Sequence, residues 1–538
     1  MRRRNLLLIL GFALTAMLGY WLAGTAAPRK ITREAARKPA IEPKRTVIAD
    51  EAAPRFRKEE RGPAFRRDEE ATLAGALPGQ RVLVFKNQSA LEEFLKRAGD
   101  KVRLMGRLDA LNALRVGFSN FDDLASLLDG EEESSFIFPV DIPAPGEGTA
   151  QPGAVALGAG LLEWLGITGD NSSWGSGVNI AVLDTGVTSS RAFSSNISLI
   201  NFVELLSDPA SQNGHGTAVA SMIIGQNSLT PGVAPGAGIV SIRIANDLGQ
   251  SDSYLLAQGI VAAVDAGAQL INISMGSFGD SALVRNAIEY ARAAGSLIIA
   301  ASGNNGQQRV SYPAANDGVL AVGAVDALGN HLDFSNTGNQ VAISAPGYGV
   351  NAAWTGDQAA SVSGTSFSSP IIAGAIAALM SQPGAAKLTA TQAKELLFAY
   401  LNDGGAEGAD ASLGAGMPDL GRVLNAKTRG IYDAALASQR IIEPTAAYPN
   451  GQVEIMVQNR GTENLINTKV QISTPTGVIY SNITSLAVNA VKTIRIPIPK
   501  LSFDSMSYDS SVTLSNSTKD AKPSNDRRAE TYVKAGGK

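Results

Sequence analysis

No cysteine occurs among the 538 residues, and only two are histidine. Without cysteine there is no disulfide, no thiol nucleophile and no thiolate metal ligand, so stability must come from packing and from any bound ions. No H-E-x-x-H string is present, which excludes the helical zinc arrangement built on that spacing. An excess of charge of one sign is also missing. Lys and Arg number 46 against 49 Asp and Glu, a formal charge of −3, so no field draws the chain to nucleic acid. Aromatic residues are few at 6%, yet apolar residues reach 44%, ample for packed cores.

A length of 538 residues suits three or four domains at about 150 residues each. Residues 1–27 open with Arg2-Arg3-Arg4, continue apolar from Leu6 and end in small residues. That is the pattern of an export signal. A bilayer takes about 20 apolar residues, so an uncleaved signal anchor stays open as a second reading. Both place the body outside the cytoplasm, secreted or held at the cell envelope. Residues 28–75 are crowded with Lys, Arg, Glu, Pro and Ala, lack apolar periodicity, and read as a disordered charged linker.

Residues 76–142 carry a strand at 80–86, a capped helix at 89–98, alternating segments from 103 to 118, a helix at 121–128 and a strand at 135–140. The order βαββαβ predicts a small α+β, ferredoxin-like unit, with an unrelated α+β domain as the alternative. Residues 143–160 are rich in Gly, Pro and Ala and are the expected place for a processing cut. From 161 to 426 short apolar strands alternate with helical stretches, which predicts an α/β domain with a doubly wound parallel sheet. Ligands of such sheets bind beyond the carboxyl ends of the strands, where Asp184, Ser274 and Asn304 all fall. Period-two strands from 427 to 538 predict an all-β sandwich.

With histidine so scarce, the search for a general base is short. His215 stands in N-G-H-G-T, and a helical pattern begins just after Ser366 in G-T-S-F-S-S-P. A hydroxyl needs a base to become a nucleophile, and the base needs a carboxylate to fix its tautomer. Asp184, closing the strand V-N-I-A-V-L, is the candidate. The string Asp184-Thr185-Gly186 also occurs in aspartic proteases, but those need a second Asp-Thr-Gly or Asp-Ser-Gly, and none is present. Ser366 lacks the G-x-S-x-G elbow of an esterase, because Ser368 stands where the last glycine belongs. His331, in G-N-H-L-D-F-S, has no comparable neighbours and is expected in an exposed loop.

The chain order Asp, His, Ser is that of subtilisins. On V-L-D-T-G (182–186), H-G-T-A-V-A-S (215–221), A-S-G-N-N-G (301–306) and G-T-S-F-S-S-P (364–370), the chain resembles the subtilisin-like serine proteases of family S8 over roughly 155–426. The resemblance implies a catalytic triad of Asp184, His215 and Ser366, with Asn304 and the Ser366 amide as oxyanion hole. It implies a substrate strand between Ser274-Met275-Gly276 and residues 249–254, with Leu256, Ala301 and Ser311 also shaping pockets that favour apolar side chains. It further implies polypeptide substrates and a zymogen whose 76–142 unit is a propeptide, acting as folding chaperone and intramolecular inhibitor. The sandwich resembles CARDB-like immunoglobulin-fold modules, which leaves a cell surface, a glycan or the chain's own catalytic domain as its contact. The chemistry needs no cofactor and no metal is assigned; structural calcium is left open without ligands. A non-catalytic surface adhesion or binding protein on the same fold is the alternative.

Overall fold

The computed structural model describes residues 68–130, 132–142, 151–193, 197–201, 213–382, 387–442, 444–498, 505–515 and 518–533. The expected export segment 1–27 and residues 143–150 of the expected processing linker lie outside the described residues. Asp68 caps helix α1 (Glu69–Leu73), and its carboxylate also pairs with Arg81, both side chains being buried. The expected linker boundary at 75 is therefore late, because this ion pair ties Asp68 into the domain that follows.

That domain holds β1 (Gln80–Phe85), α2 (Gln88–Ala98), β2 (Arg103–Leu108), β3 (Ala113–Gly117), α3 (Phe121–Ala125) and β4 (Glu132–Ser135). The strands form an antiparallel sheet in the order β2-β3-β1-β4. Strand alternation gives the sheet two apolar faces. Leu83, Phe85 and Leu114 pack with Leu91 and Phe94 of α2, whereas Val82 and Ala113 join the core of the next domain. The single strand expected at 135–140 is two strands. Glu132–Ser135 pairs with β1, and β5 (Pro139–Asp141) leaves that sheet for the neighbouring domain.

After α4 (Leu161–Trp164) come β6 (Asn179–Asp184), β7 (Ile197–Asn201), α5 (His215–Ile224), β8 (Gly238–Arg243), β9 (Gln250–Asp252) and α6 (Ser253–Asp265). They continue with β10 (Leu270–Ile273), α7 (Ala282–Ala293), β11 (Leu297–Ala301), β12 (Val319–Val325) and β13 (Val341–Pro346). A hairpin, β14 (Val350–Trp354) and β15 (Gln358–Val362), precedes α8 (Thr365–Met380). Seven strands run parallel in the order β13-β12-β11-β10-β6-β8-β7. Their near-continuous apolar sequences reflect burial on both sides. In β6, Ile180 and Val182 face the core containing α5 and α8, while Ala181 and Leu183 face the one containing α6 and α7. This is the doubly wound α/β arrangement.

Residues 151–160 of the expected processing linker are bonded onto this domain. Gln151 bonds the His331 carbonyl and the Asp333 amide, the Val155 amide bonds Asp326, and the Leu157 amide bonds the Tyr348 carbonyl. His331 itself is half-buried, not exposed as expected, because this segment and the 326–333 turn are laced together; burial holds its pKa below the usual histidine value.

Helices α9 (Ala390–Phe398) and α10 (Leu420–Asn425) close the domain. The C-terminal region contains β16 (Ala434–Ile442), β17 (Gln452–Asn459), β18 (Leu465–Thr474), β19 (Gly477–Leu486), β20 (Val491–Pro497), β21 (Ser505–Thr513) and β22 (Arg527–Val533). Two antiparallel sheets, β16-β17-β20 and β19-β18-β21-β22, enclose Val453, Ile455, Val470 and Ile472. The sandwich is bonded to the domain before it. Arg422 of α10 donates to the Tyr400 and Leu401 carbonyls, and across to the Arg460 carbonyl and Asn489. Burial lowers its pKa to about 10.

Candidate active site

The carboxyl ends of β6, β10 and β11 and the amino ends of α5 and α8 meet at one rim. Asp184, the last residue of β6, is fully buried, and His215, the first of α5, is 1% exposed. Nδ1 of His215 lies 2.9 Å from both Asp184 oxygens. The Thr185 amide donates to Asp184 Oδ1 at 2.7 Å, so the carboxylate is held from two directions. Gly216 permits this approach, since a Cβ there would meet the Gly186 carbonyl oxygen at 2.4 Å and Asp184 Oδ1 at 3.1 Å. The Phe367 ring covers the imidazole at 5.2 Å between centroids.

Ser366 lies in the first turn of α8, where backbone N–H groups have no partner inside the helix. Its hydroxyl donates to the Ser274 carbonyl at 3.1 Å, and Nε2 of His215 is buried without a hydrogen-bond partner. Of the three residues grouped from the sequence, the structure joins Asp184 to His215 and turns the serine hydroxyl toward Ser274. The Ser274 hydroxyl in turn donates to the Ser366 carbonyl at 2.7 Å, and Asn272 links Ser274 to Ser369. These bonds lock α8 onto β10.

Asn304 follows the end of β11. Its Oδ1 accepts from the Thr365 amide and hydroxyl, each at 2.8 Å, which leaves Nδ2 as the donor, beside Gly364. Thr365 was missed by sequence reasoning, although its place directly before Ser366 is a signal. A cavity of about 570 Å³ is walled by Ser274, Met275, Gly276, Ala301, Asn304, Ser311 and Ser366. Leu256, on α6, is not in that wall; it is buried in the cluster that also holds Met275 and the groove-filling residues Val140 and Ile142. Among the described residues, no three His, Asp or Glu side chains are gathered as metal ligands.

The groove beside the cavity is filled by the chain itself. β5 pairs antiparallel with β9, matching Pro139 with Asp252, Val140 with Ser251 and Asp141 with Gln250. On its other edge the Asp141 amide bonds the Gly276 carbonyl at 3.1 Å and the Gly276 amide bonds the Asp141 carbonyl at 3.2 Å. Val140 and Ile142 are buried, and burial raises the pKa of Asp141. The expected substrate slot between 274–276 and 249–254 therefore holds residues 139–142.

Comparison with known proteins finds one family. The subtilase family, Peptidase_S8, matches residues 175–416. A thermostable alkaline protease of Halalkalibacterium halodurans is 39% identical over 214 residues, which are 39% of this chain and 58% of that protein. Subtilisin Savinase of Lederbergia lenta is 39% identical over 212 residues, 39% of this chain and 77% of that protein. A solved structure of a mutant of the protease domain of PatA is 33% identical, covering 48% of this chain and 97% of that one with a TM-score of 0.42. The chain thus spans little more than half the length of the alkaline protease, but over three quarters of the subtilisin. Through its 175–416 region, this chain belongs to the subtilase family.

Proposed function

We propose that the protein is an exported serine endopeptidase, made as a zymogen whose 68–142 unit inhibits the site until it is cut away. The observation that carries this reading is the Asp184–His215 pair at the rim where Ser366 opens α8, beside a groove whose two edges already pair with an extended segment of the chain.

In the reaction, Ser366 exchanges the Ser274 carbonyl for Nε2 of His215 and gives it a proton while attacking the peptide carbonyl. Asp184 holds the Nδ1 proton in place and stabilises the imidazolium. The Asn304 amide and the Ser366 N–H face the negative oxygen as it forms. His215 then protonates the leaving amine, and water releases the acyl group by the reverse sequence. The chemistry requires no cofactor; calcium, where bound, has a structural role.

Residues 139–142 support intramolecular inhibition because they occupy the strand position that a substrate needs. Hydrogen bonds fasten 151–160 to the catalytic domain, so the cut falls within 143–150. The basic, then apolar, start at 1–27 supports export. No helix among the described residues is long and apolar enough to cross a membrane.

Intact masses of wild type and Ser366→Ala, each begun at residue 28, test the reading. The wild type sheds its N-terminal part with a new end between 143 and 150, and Ser366→Ala stays whole. If both remain full length under every condition, the binding-protein alternative takes its place.

A further inference from the structure

Asp252 divides its carboxylate between two tasks. Oδ1 caps α6, accepting from the Tyr254 and Leu255 amides at 2.9 and 3.0 Å. Oδ2 lies 2.9 Å from Nη1 of Arg115 on β3, and the Arg115 guanidinium sits 5.5 Å over the Tyr254 ring. Asp252 and Tyr254 are 7% and 3% exposed beneath that arginine, and burial pushes the Tyr254 hydroxyl up to about 12. A carboxylate beside an aromatic face is a site for a cation. Here its occupant belongs to the domain that departs when the zymogen is cut.

The site also faces the groove. The Ser253 amide bonds the Phe138 carbonyl and the Ile142 amide bonds the Gly249 carbonyl. Pairs 138/253 and 142/249 are thus hydrogen-bonded, and Pro139 with Asp252 falls between bonds. Residues in such a pair approach to about 4.5 Å between Cα atoms, with side chains on the same face. Proline, having no N–H to donate, suits that position. A substrate strand replacing the tail lays its own side chain there, alongside an Asp252 that has lost Arg115.

We propose that Asp252, with Tyr254, is a cation-recognising subsite selecting Lys or Arg at the substrate position now taken by Pro139, and that Arg115 closes it in the zymogen. The proposal rests on the endopeptidase reading above. It adds a substrate class, polypeptides with a basic residue two positions before the one paired with Gly276, to the apolar positions marked by Val140 and Ile142.

The test uses the self-processed enzyme and quenched fluorescent peptides that differ only at this position, carrying Lys, Arg, Ala or Glu before Val-Asp-Ile. The expected kcat/KM for Lys and Arg is about three- to five-fold above Ala at low salt, with Glu below Ala. The advantage should shrink at about 0.5 M salt. Asp252→Asn keeps an oxygen for the helix cap and removes the charge, so the Lys-to-Glu ratio should fall to about one. Equal rates for Lys, Ala and Glu in wild type overturn the subsite, as does a Lys preference that survives in Asp252→Asn. Should that variant fail to fold, the wild-type ratio and its salt dependence decide the matter. Hydrolysis of none of the peptides overturns the endopeptidase reading and the subsite with it.

Discussion

Thr365→Val asks whether the Asn304 amide acts because it is held in place. Asn304 Oδ1 accepts from the Thr365 amide and from its hydroxyl, and the hydroxyl also accepts from the Gly303 amide at 3.2 Å. Valine has nearly the same shape without the hydroxyl, so one of the two anchors is lost and the other remains. A neutral hydrogen bond contributes about 0.5–1.5 kcal/mol net, and about 1.4 kcal/mol is tenfold in rate. The expected result is a kcat lower by roughly 3- to 10-fold with KM within about twofold, because the oxyanion exists only beyond the ground state. The Gly303 amide left without this partner costs about 1–3 kcal/mol of stability, so the steady-state peptide assay belongs well below the melting temperature. Thr365→Ser retains the hydroxyl and should recover most of the rate. A Val variant whose KM rises while kcat holds, or a Ser variant as slow as Val, refutes the orientation argument.

Two further changes probe the inhibited state and the C-terminal sandwich. A methyl group at Gly279 would lie 2.1 Å from ring carbons of Phe138, which is 8% exposed, so Gly279→Ala should unseat that ring. Burying a phenylalanine contributes about 1.5–3 kcal/mol, so the lag before full activity should shorten about tenfold or more; an unchanged lag contradicts the seat. Burial, together with Asp520 and Asp433, raises the pKa of Asp526 from 3.8 to about 7. Between those values the folded chain keeps a proton that the unfolded chain has released, so this group makes stability fall as pH rises through the window. Asp526→Asn should therefore melt above wild type at pH 8 and level with it near pH 4, by calorimetry; coincident melting at pH 8 rules the effect out.

What was legible in the sequence follows from period and punctuation. The apolar runs of β6, β8, β10, β11 and β12 needed no partner to be read, because strands buried on both faces carry their pattern within themselves. Asp184, His215, Ser366 and Asn304 stand out in the same way, each in a short string at a strand end or helix start, and the structure sets Asp184 against His215 and Asn304 against Thr365. Strands at 434–442 and 527–533 were not singled out. Polar and charged residues interrupt the first, and the second carries Arg527, Arg528 and Glu530.

The sequence by itself determined the fold class and the family, since these depend on local residue type and spacing. Only the tertiary structure decided which distant segments of the chain meet. It turned Ser366 toward Ser274, laid residues 139–142 along the groove, split 135–140 between two sheets and brought Arg115 onto Asp252. The physical reason is that each of these depends on a pairing register or a packed face, and neither exists until distant segments meet.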